Sequence, residues 1–171
     1  MNNIIFKEAG LEDVYTVSAF LAKCWKCAYK GLVDDEYLFS LSDLHWVGFL
    51  ESKLPDKLIR CLTARENGEI VGVSIFGRSI ADEYPQDGEV IALYVSQDYH
   101  GLKIGHELFK KSLQGLGETG FESGLVCVFK DNAKAVSFYR AHGFQTALEN
   151  QVVRIGERDL QYLVMRKRLL N

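Results

Sequence analysis

The residues best suited to chemistry in this sequence stand around two turns between Val90 and Phe144. The first turn, Ser96-Gln97-Asp98-Tyr99-His100-Gly101-Leu102-Lys103-Ile104-Gly105, follows the apolar run Val90-Ile91-Ala92-Leu93-Tyr94-Val95 and opens a helical pattern. A helix beginning near Leu102 and Lys103 leaves its first amides without intrahelical partners, and the aligned peptide dipoles add partial positive charge there. Gly101 and Gly105 let the backbone take unusual angles and let a bulky anion approach closely. A pyrophosphate suits such a turn. Two glycines before a helix serve equally well as a loop and a packing contact, so the pair alone leaves both readings open.

The second turn lies about thirty residues further on, where Gly124-Leu125-Val126-Cys127-Val128-Phe129 leads to Asn132, Ala135, Phe138, Tyr139, Gly143 and Phe144. With that pattern the chain resembles the GNAT superfamily of N-acetyltransferases. The family carries Gln/Arg-x-x-Gly-x-Gly/Ala after its fourth strand and an Asn-led helix with a Tyr after its fifth. Here the first pattern falls on His100, Lys103 and Gly105, departing at two of three positions, and the second is complete. The resemblance covers nearly the whole chain, most strongly residues 88–144.

What the resemblance implies is a single domain over residues 1–171, of α/β (α+β) class, with a mixed, twisted, mostly antiparallel sheet of about seven strands. Helices cover both faces, and strands four and five splay apart into a V-shaped cleft. Acetyl-CoA is the implied acyl donor, its pantetheine arm pairing with the backbone of Leu93, Tyr94 and Val95 as an added strand. Its diphosphate would sit on His100, Gly101, Leu102, Lys103, Ile104 and Gly105, with Asn132 and Ala135 completing the cofactor site. Lys103 replaces a family glycine; a Lys tolerates ordinary helical angles, so its amide is expected to face the diphosphate while its side chain swings out or reaches a phosphate. The family also implies a homodimer.

Size and pattern agree with that frame. At 171 residues and 47% hydrophobic content the chain is long enough for one well-buried domain and too short for two. A net charge of −3 gives no sign of a nucleic-acid or anionic-membrane partner, and mildly favours a cationic substrate. No apolar run approaches the roughly 20 residues of a membrane span, and the first residues lack a signal layout, so a cytoplasmic protein is expected. A first strand is read over 4–7, a helix after Gly10 with inward Val14, Val17, Leu21, Cys24 and Ala28, and a second helical region over about 34–53 with Ser42 as N-cap. Residues 58–65 and 69–78 flank Asn67-Gly68 as a hairpin, and two further strands follow Phe144. Cys24 and Cys27 lie inside a helix, Cys61 and Cys127 on strands; all four read as buried reduced thiols, direct transfer is preferred over a first acetylation of Cys127, which has no His paired to it in sequence, and no metal site is expected.

Acetyl transfer to an amine needs a base, because an alkylammonium has a pKa near 10.4. Glu89, at the start of the fourth strand, is the first candidate, against an exposed strand-end acid. Asp87, Glu83 and Asp82 are lesser ones, read as solvated. Tyr139 is the acid for the departing thiolate, the role its family position implies, with a core tyrosine as the alternative. Trp25 and Tyr29 are read as acceptor-pocket walls, with Tyr37 and the acids at 34–36 nearby; core aromatics and a helix start are the plainer reading. The function expected is acetyl-CoA-dependent transfer directly to a primary amine of a small molecule or peptide. A catalytically silent acyl-CoA-binding domain is the alternative, and a dinucleotide oxidoreductase a distant third, since G-x-G-x-x-G is absent.

Overall fold

The computed structural model describes residues 3–169. Seven strands form one sheet in the order β1-β2-β3-β4-β5-β7-β6: β1 Ile5–Glu8, β2 Ile59–Glu66, β3 Glu69–Arg78, β4 Gly88–Val95, β5 Ser123–Phe129, β6 Gln145–Ile155 and β7 Arg158–Arg168. β4 and β5 are parallel and the other neighbouring pairs antiparallel. The helices are α1 Val14–Ala28, α2 Asp35–Ser40, α3 Val47–Lys53, α4 Ile104–Glu118 and α5 Ala133–Ala141. Among the described residues no helix is long and apolar enough to cross a membrane.

Helices cover both sheet faces because each presents one apolar stripe. On α1, Val14, Val17 and Leu21 pack with Leu50 of α3 against Ile59, Cys61, Val73 and Ile75. On the opposite face Phe109 and Leu116 of α4, with Val136 of α5, meet Phe76, Val90, Val126, Val128 and Met165. Phe109 is fully buried, and losing such a ring costs about 3–5 kcal/mol. One polar contact crosses this layer: the buried hydroxyls of Ser74 and Ser112 are 2.7 Å apart.

The helical region expected over 34–53 is instead two short helices. Leu41 is extended, and Ser42 Oγ accepts from Leu44 N–H at 3.1 Å, so Ser42 closes a local turn rather than capping α3. Trp46 N–H then donates to Ser18 Oγ at 3.0 Å, which anchors the break to α1. The hairpin of β2 and β3 turns at Asn67 and Gly68, both at positive φ, as Asn-Gly requires.

The pairing that matters most is the shortest. β4 and β5 meet only at Gly88↔Gly124 and Glu89↔Leu125. The glycines permit it: a Cβ on Gly88 would lie 2.8 Å from Leu116 and 3.0 Å from Phe121. Beyond Glu89 the strands separate, and β4 carries an extra residue in its pairing with β3, where Ile75 faces Ala92 and Phe76 faces Val90. Such a bulge bends and twists the strand locally.

Gly77, on β3 opposite Glu89, is packed against backbone rather than side chain. A Cβ there would stand 2.3 Å from the Leu58 carbonyl and 2.7 Å from Ile59 Cα. Gly77→Ala is expected to lower the unfolding free energy by about 2–3 kcal/mol, seen as a lower urea midpoint at unchanged slope.

Candidate active site

Glu89 occupies the last paired rung before the strands part, and only 3% of it is exposed. Its carboxylate accepts from Ile80 N–H at 2.8 Å and from Ser79 O–H at 3.1 Å, with the Cys127 thiol as a further donor beside it. Burial nevertheless dominates and raises its pKa above the ordinary carboxyl value. The exposed strand-end reading is therefore excluded by the burial. Asp87, expected in water, is 7% exposed and grips Arg166 of β7 through two bonds of 2.5 and 3.1 Å; Asp82 and Glu83 are exposed as expected.

Cys127, read from the sequence as a strand residue opposite the cofactor and a possible but disfavoured acetyl acceptor, is a hydrogen-bonding neighbour of Glu89. It lies across from Glu89 on β5, and burial together with the Glu89 charge pushes its thiol up to about 12. A thiol that weakly acidic is a hydrogen-bond donor rather than a nucleophile. All four cysteines are free, but Cys27 and Cys127 are exposed by area, which corrects the reading of four buried thiols; the Cys127 residue reaches solvent while the atoms crowded around its sulfur still desolvate the thiolate. The signal for Cys127 was its alternation. Val126 and Val128 face the core, so Cys127 and Phe129 share the opposite side of the strand.

Three phenols complete this end of the cleft. Tyr139 of α5 packs on Phe109 and Phe138 at 5.4 Å and on Phe144 at 6.3 Å. Burial raises its pKa, with Tyr29 and Cys127 contributing, so it stays protonated at neutral pH. The hydroxyls of Tyr29 and Tyr94 are 2.8 Å apart, and burial raises both pKa values. Tyr94 was expected to act through its backbone; its side chain belongs to this group as well. Tyr29 also meets Trp25 at 4.6 Å and Phe129 at 5.1 Å, and Trp25 meets Trp46 at 5.6 Å. Trp25 and Tyr29 thus belong to an aromatic wall that includes two residues the sequence did not single out, Trp46 and Phe129.

The outer part of the cleft is built from backbone. Leu93, Tyr94 and Val95 pair with Ser74, Val73 and Gly72 of β3 on one edge only, since β5 has already diverged on the other. In α4 the Glu107 N–H donates to Lys103 O at 3.1 Å, which leaves the amides of Ile104, Gly105 and His106 without intrahelical partners. Leu102 is exposed, Ile104 is buried, and Gly105 lies 3.6 Å from Val95 Cγ2 through its Cβ position. Asn132 Oδ1 accepts from Ala135 N–H at 3.2 Å, capping α5 and leaving its amide hydrogens as donors.

Two loop residues differ from expectation. Lys103 does not take helical angles; at φ 60° and ψ 10° it holds the left-handed conformation that a glycine adopts freely. A glycine would take this backbone shape without strain. His100 turns back to place Nε2 3.1 Å from the Val95 carbonyl oxygen, so its ring ties the loop to β4. Tyr99 O–H donates to Glu66 at 2.5 Å, fixing the loop to the β2–β3 hairpin.

An edge-exposed strand, a helix start of open amides, and a buried acid and a protonated phenol that share Cys127 as a neighbour are the parts an acyl-CoA-dependent transferase requires. The chain belongs to the GNAT acetyltransferases: the model of the Acetyltransferase (GNAT) family matches residues 19–144. It is 25% identical over 157 residues to the uncharacterized N-acetyltransferase YuaI of Bacillus subtilis, covering 91% of this chain and 88% of that one. It is 23% identical over 151 residues to the spermidine N(1)-acetyltransferase of Thermoplasma acidophilum, covering 84% and 89%. Among solved structures, the PaiA N-acetyltransferase of Thermoplasma acidophilum in complex with coenzyme A has the same fold, with TM-score 0.75 and 22% identity over 97% of this chain and 99% of that one. The YncA structure of Salmonella typhimurium with acetyl-CoA gives 0.74 and 18%, over 99% and 95%.

Two expected outcomes test this geometry. Because the Glu89 pKa is raised, its contribution to stability is present below the unfolded carboxyl pKa and is lost as pH rises through the folded value. Glu89→Gln should therefore be more stable than the natural chain at neutral pH, with the gap closing near about pH 4, in urea unfolding at both pH values. Lys103→Gly relieves the left-handed residue and should raise the unfolding free energy by about 1 kcal/mol in the same assay.

Proposed function

We propose that this protein moves an acetyl group from acetyl-CoA directly to a primary amine of a small molecule or peptide, with polyamines the first acceptors to try. The observation that carries the reading is the divergence of β4 and β5 immediately past Glu89, which leaves a buried carboxyl at the closed end of a cleft, with Cys127 neighbouring both it and the Tyr139 phenol. Family membership supports acetyl transfer in general, and the spermidine acetyltransferase of Thermoplasma acidophilum supports the polyamine class.

In this reading the amides at the start of α4 hold the diphosphate and the free edge of β4 guides the pantetheine arm, so the thioester reaches Tyr139. Freeing an alkylamine at pH 7 costs about 4–5 kcal/mol. Glu89, poised above the ordinary carboxyl range by burial, accepts that proton in its ionised form, and the neutral amine attacks the thioester carbonyl. As the tetrahedral adduct collapses, the C–S bond breaks, Tyr139 donates its proton to the departing thiolate, whose conjugate acid has a pKa of about 8.5, and the second proton leaving the amine nitrogen restores the phenol through solvent. The aromatic wall of Trp25 and Tyr29 offers π-faces to an alkylammonium, worth about 0.5–2 kcal/mol each. Lys103 at positive φ supports a diphosphate loop that both readings need, whereas the buried Glu89 with its raised pKa supports the enzyme over a silent domain that lacks an effective base.

Tyr139→Phe is expected to lower kcat about 100-fold while changing coenzyme A affinity less than about twofold, by thiol-release kinetics and calorimetry. The natural protein should release thiol from acetyl-CoA only when an amine is supplied, in a panel of polyamines, amino acids and peptides. Tight coenzyme A binding with no amine-dependent release would replace this reading with the silent domain.

A further inference from the structure

None of the roles above uses the side chains of the histidines that bridge α4 and α5, His106 entering them only through its backbone amide. His106 Nδ1 stands 3.2 Å from Nε2 of His142, the residue that ends α5, and their ring centroids are 4.9 Å apart. Aromatic packing holds both rings. Phe138 lies 5.1 Å from His106 and 4.4 Å from His142, and Phe109 lies 5.0 Å from His142. His142 Nδ1 is 2.8 Å from the Phe138 carbonyl oxygen, which can only accept. The proton of neutral His142 is therefore on Nδ1, its Nε2 presents a lone pair, and His106 Nδ1–H donates to it.

We propose that His106 and His142 form a two-histidine site for a divalent transition-metal ion of the zinc class. Zinc binds imidazole nitrogen at about 2.0–2.1 Å, so two such ligands at a tetrahedral angle stand about 3.3 Å apart. The observed 3.2 Å needs almost no adjustment. On binding, the His106 proton moves from Nδ1 to Nε2 of its exposed ring, and both facing nitrogens offer lone pairs to one ion. A second ring nitrogen bonded to a backbone carbonyl, as in His142, is the usual support that orients a metal-ligating imidazole. Among the described residues no third His, Cys, Asp or Glu joins the pair, so water fills the remaining positions. Lys167 Nζ, bonded to His142 O at 2.8 Å, adds an opposing charge. The site is thus a modest one, selective by ligand type: imidazole favours Cu²⁺, Ni²⁺ and Zn²⁺ over Mg²⁺. Its effect is mechanical, joining the helix that begins at the diphosphate loop to the helix that carries Asn132 and Tyr139.

Thermal melts of the tag-free full chain test this with Zn²⁺, Ni²⁺, Mg²⁺ or EDTA. Zn²⁺ and Ni²⁺ should raise the Tm by about 3 °C once their concentration passes Kd tenfold, with no rise in Mg²⁺. His106→Gln, an exposed position, should melt like the natural chain in EDTA and lose the rise; His142→Gln should lose it too. No rise in the natural chain, an equal rise with Mg²⁺, or a rise that survives in His106→Gln would each overturn the proposal.

Discussion

The structure depends on how briefly β4 and β5 stay together. A parallel pair in a sheet normally continues along its length, each residue gaining backbone bonds and flanking contacts. Here two rungs hold, Gly88 with Gly124 and Glu89 with Leu125, and then the partners separate. β5 keeps a full set of bonds to β7, and β4 keeps its bonds to β3, so neither strand is unsupported. What is left unpaired is one edge of each, facing the other across a gap. An extended ligand with amide groups of its own is the partner such edges lack.

The same rung puts a carboxyl group where water is scarce. Its hydrogen bonds to Ile80, Ser79 and Cys127 soften the loss of hydration without abolishing it, and the net effect favours the protonated form. A fold under selection for stability alone would place an amide or an aliphatic residue there. Retaining the acid makes sense where a proton has to be taken from something that enters the gap. Tyr139 is the complementary case, a phenol whose surroundings hold its proton firmly until negative charge appears next to it.

Much of this was legible in the residue order. The Asn-Gly hairpin, the amphipathic α1 and the Asn132 cap all rest on local rules, and the structure contains each of them. The break between α2 and α3 was not legible, because it follows from Trp46 bonding Ser18, 28 residues away. The burial of Asp87 escaped for the same reason, its partner Arg166 being 79 residues distant. Lys103 is the instructive case. Residue type argued for helical angles, yet the loop between a fixed strand end and a fixed helix start imposes the left-handed ones. Of the candidate residues, Glu89 and Tyr139 were singled out from chemistry and likeness, and the structure gives both Cys127 as a neighbour. The side of β5 that Cys127 takes could have been found from strand alternation alone, whereas Trp46 needed the tertiary fold.

The O–H···O contact between Tyr29 and Tyr94 joins the end of α1 to β4. Few other polar ties cross there, the rest of that boundary being ring against ring. Aromatic surfaces slide and re-pack at little cost, so the α1 side of this boundary can be reshaped by drift while the β4 edge and the start of α4 stay put. One architecture can in this way hand the same acyl group to many different amines, with new specificities arising by repacking of α1 rather than by invention of a new catalyst.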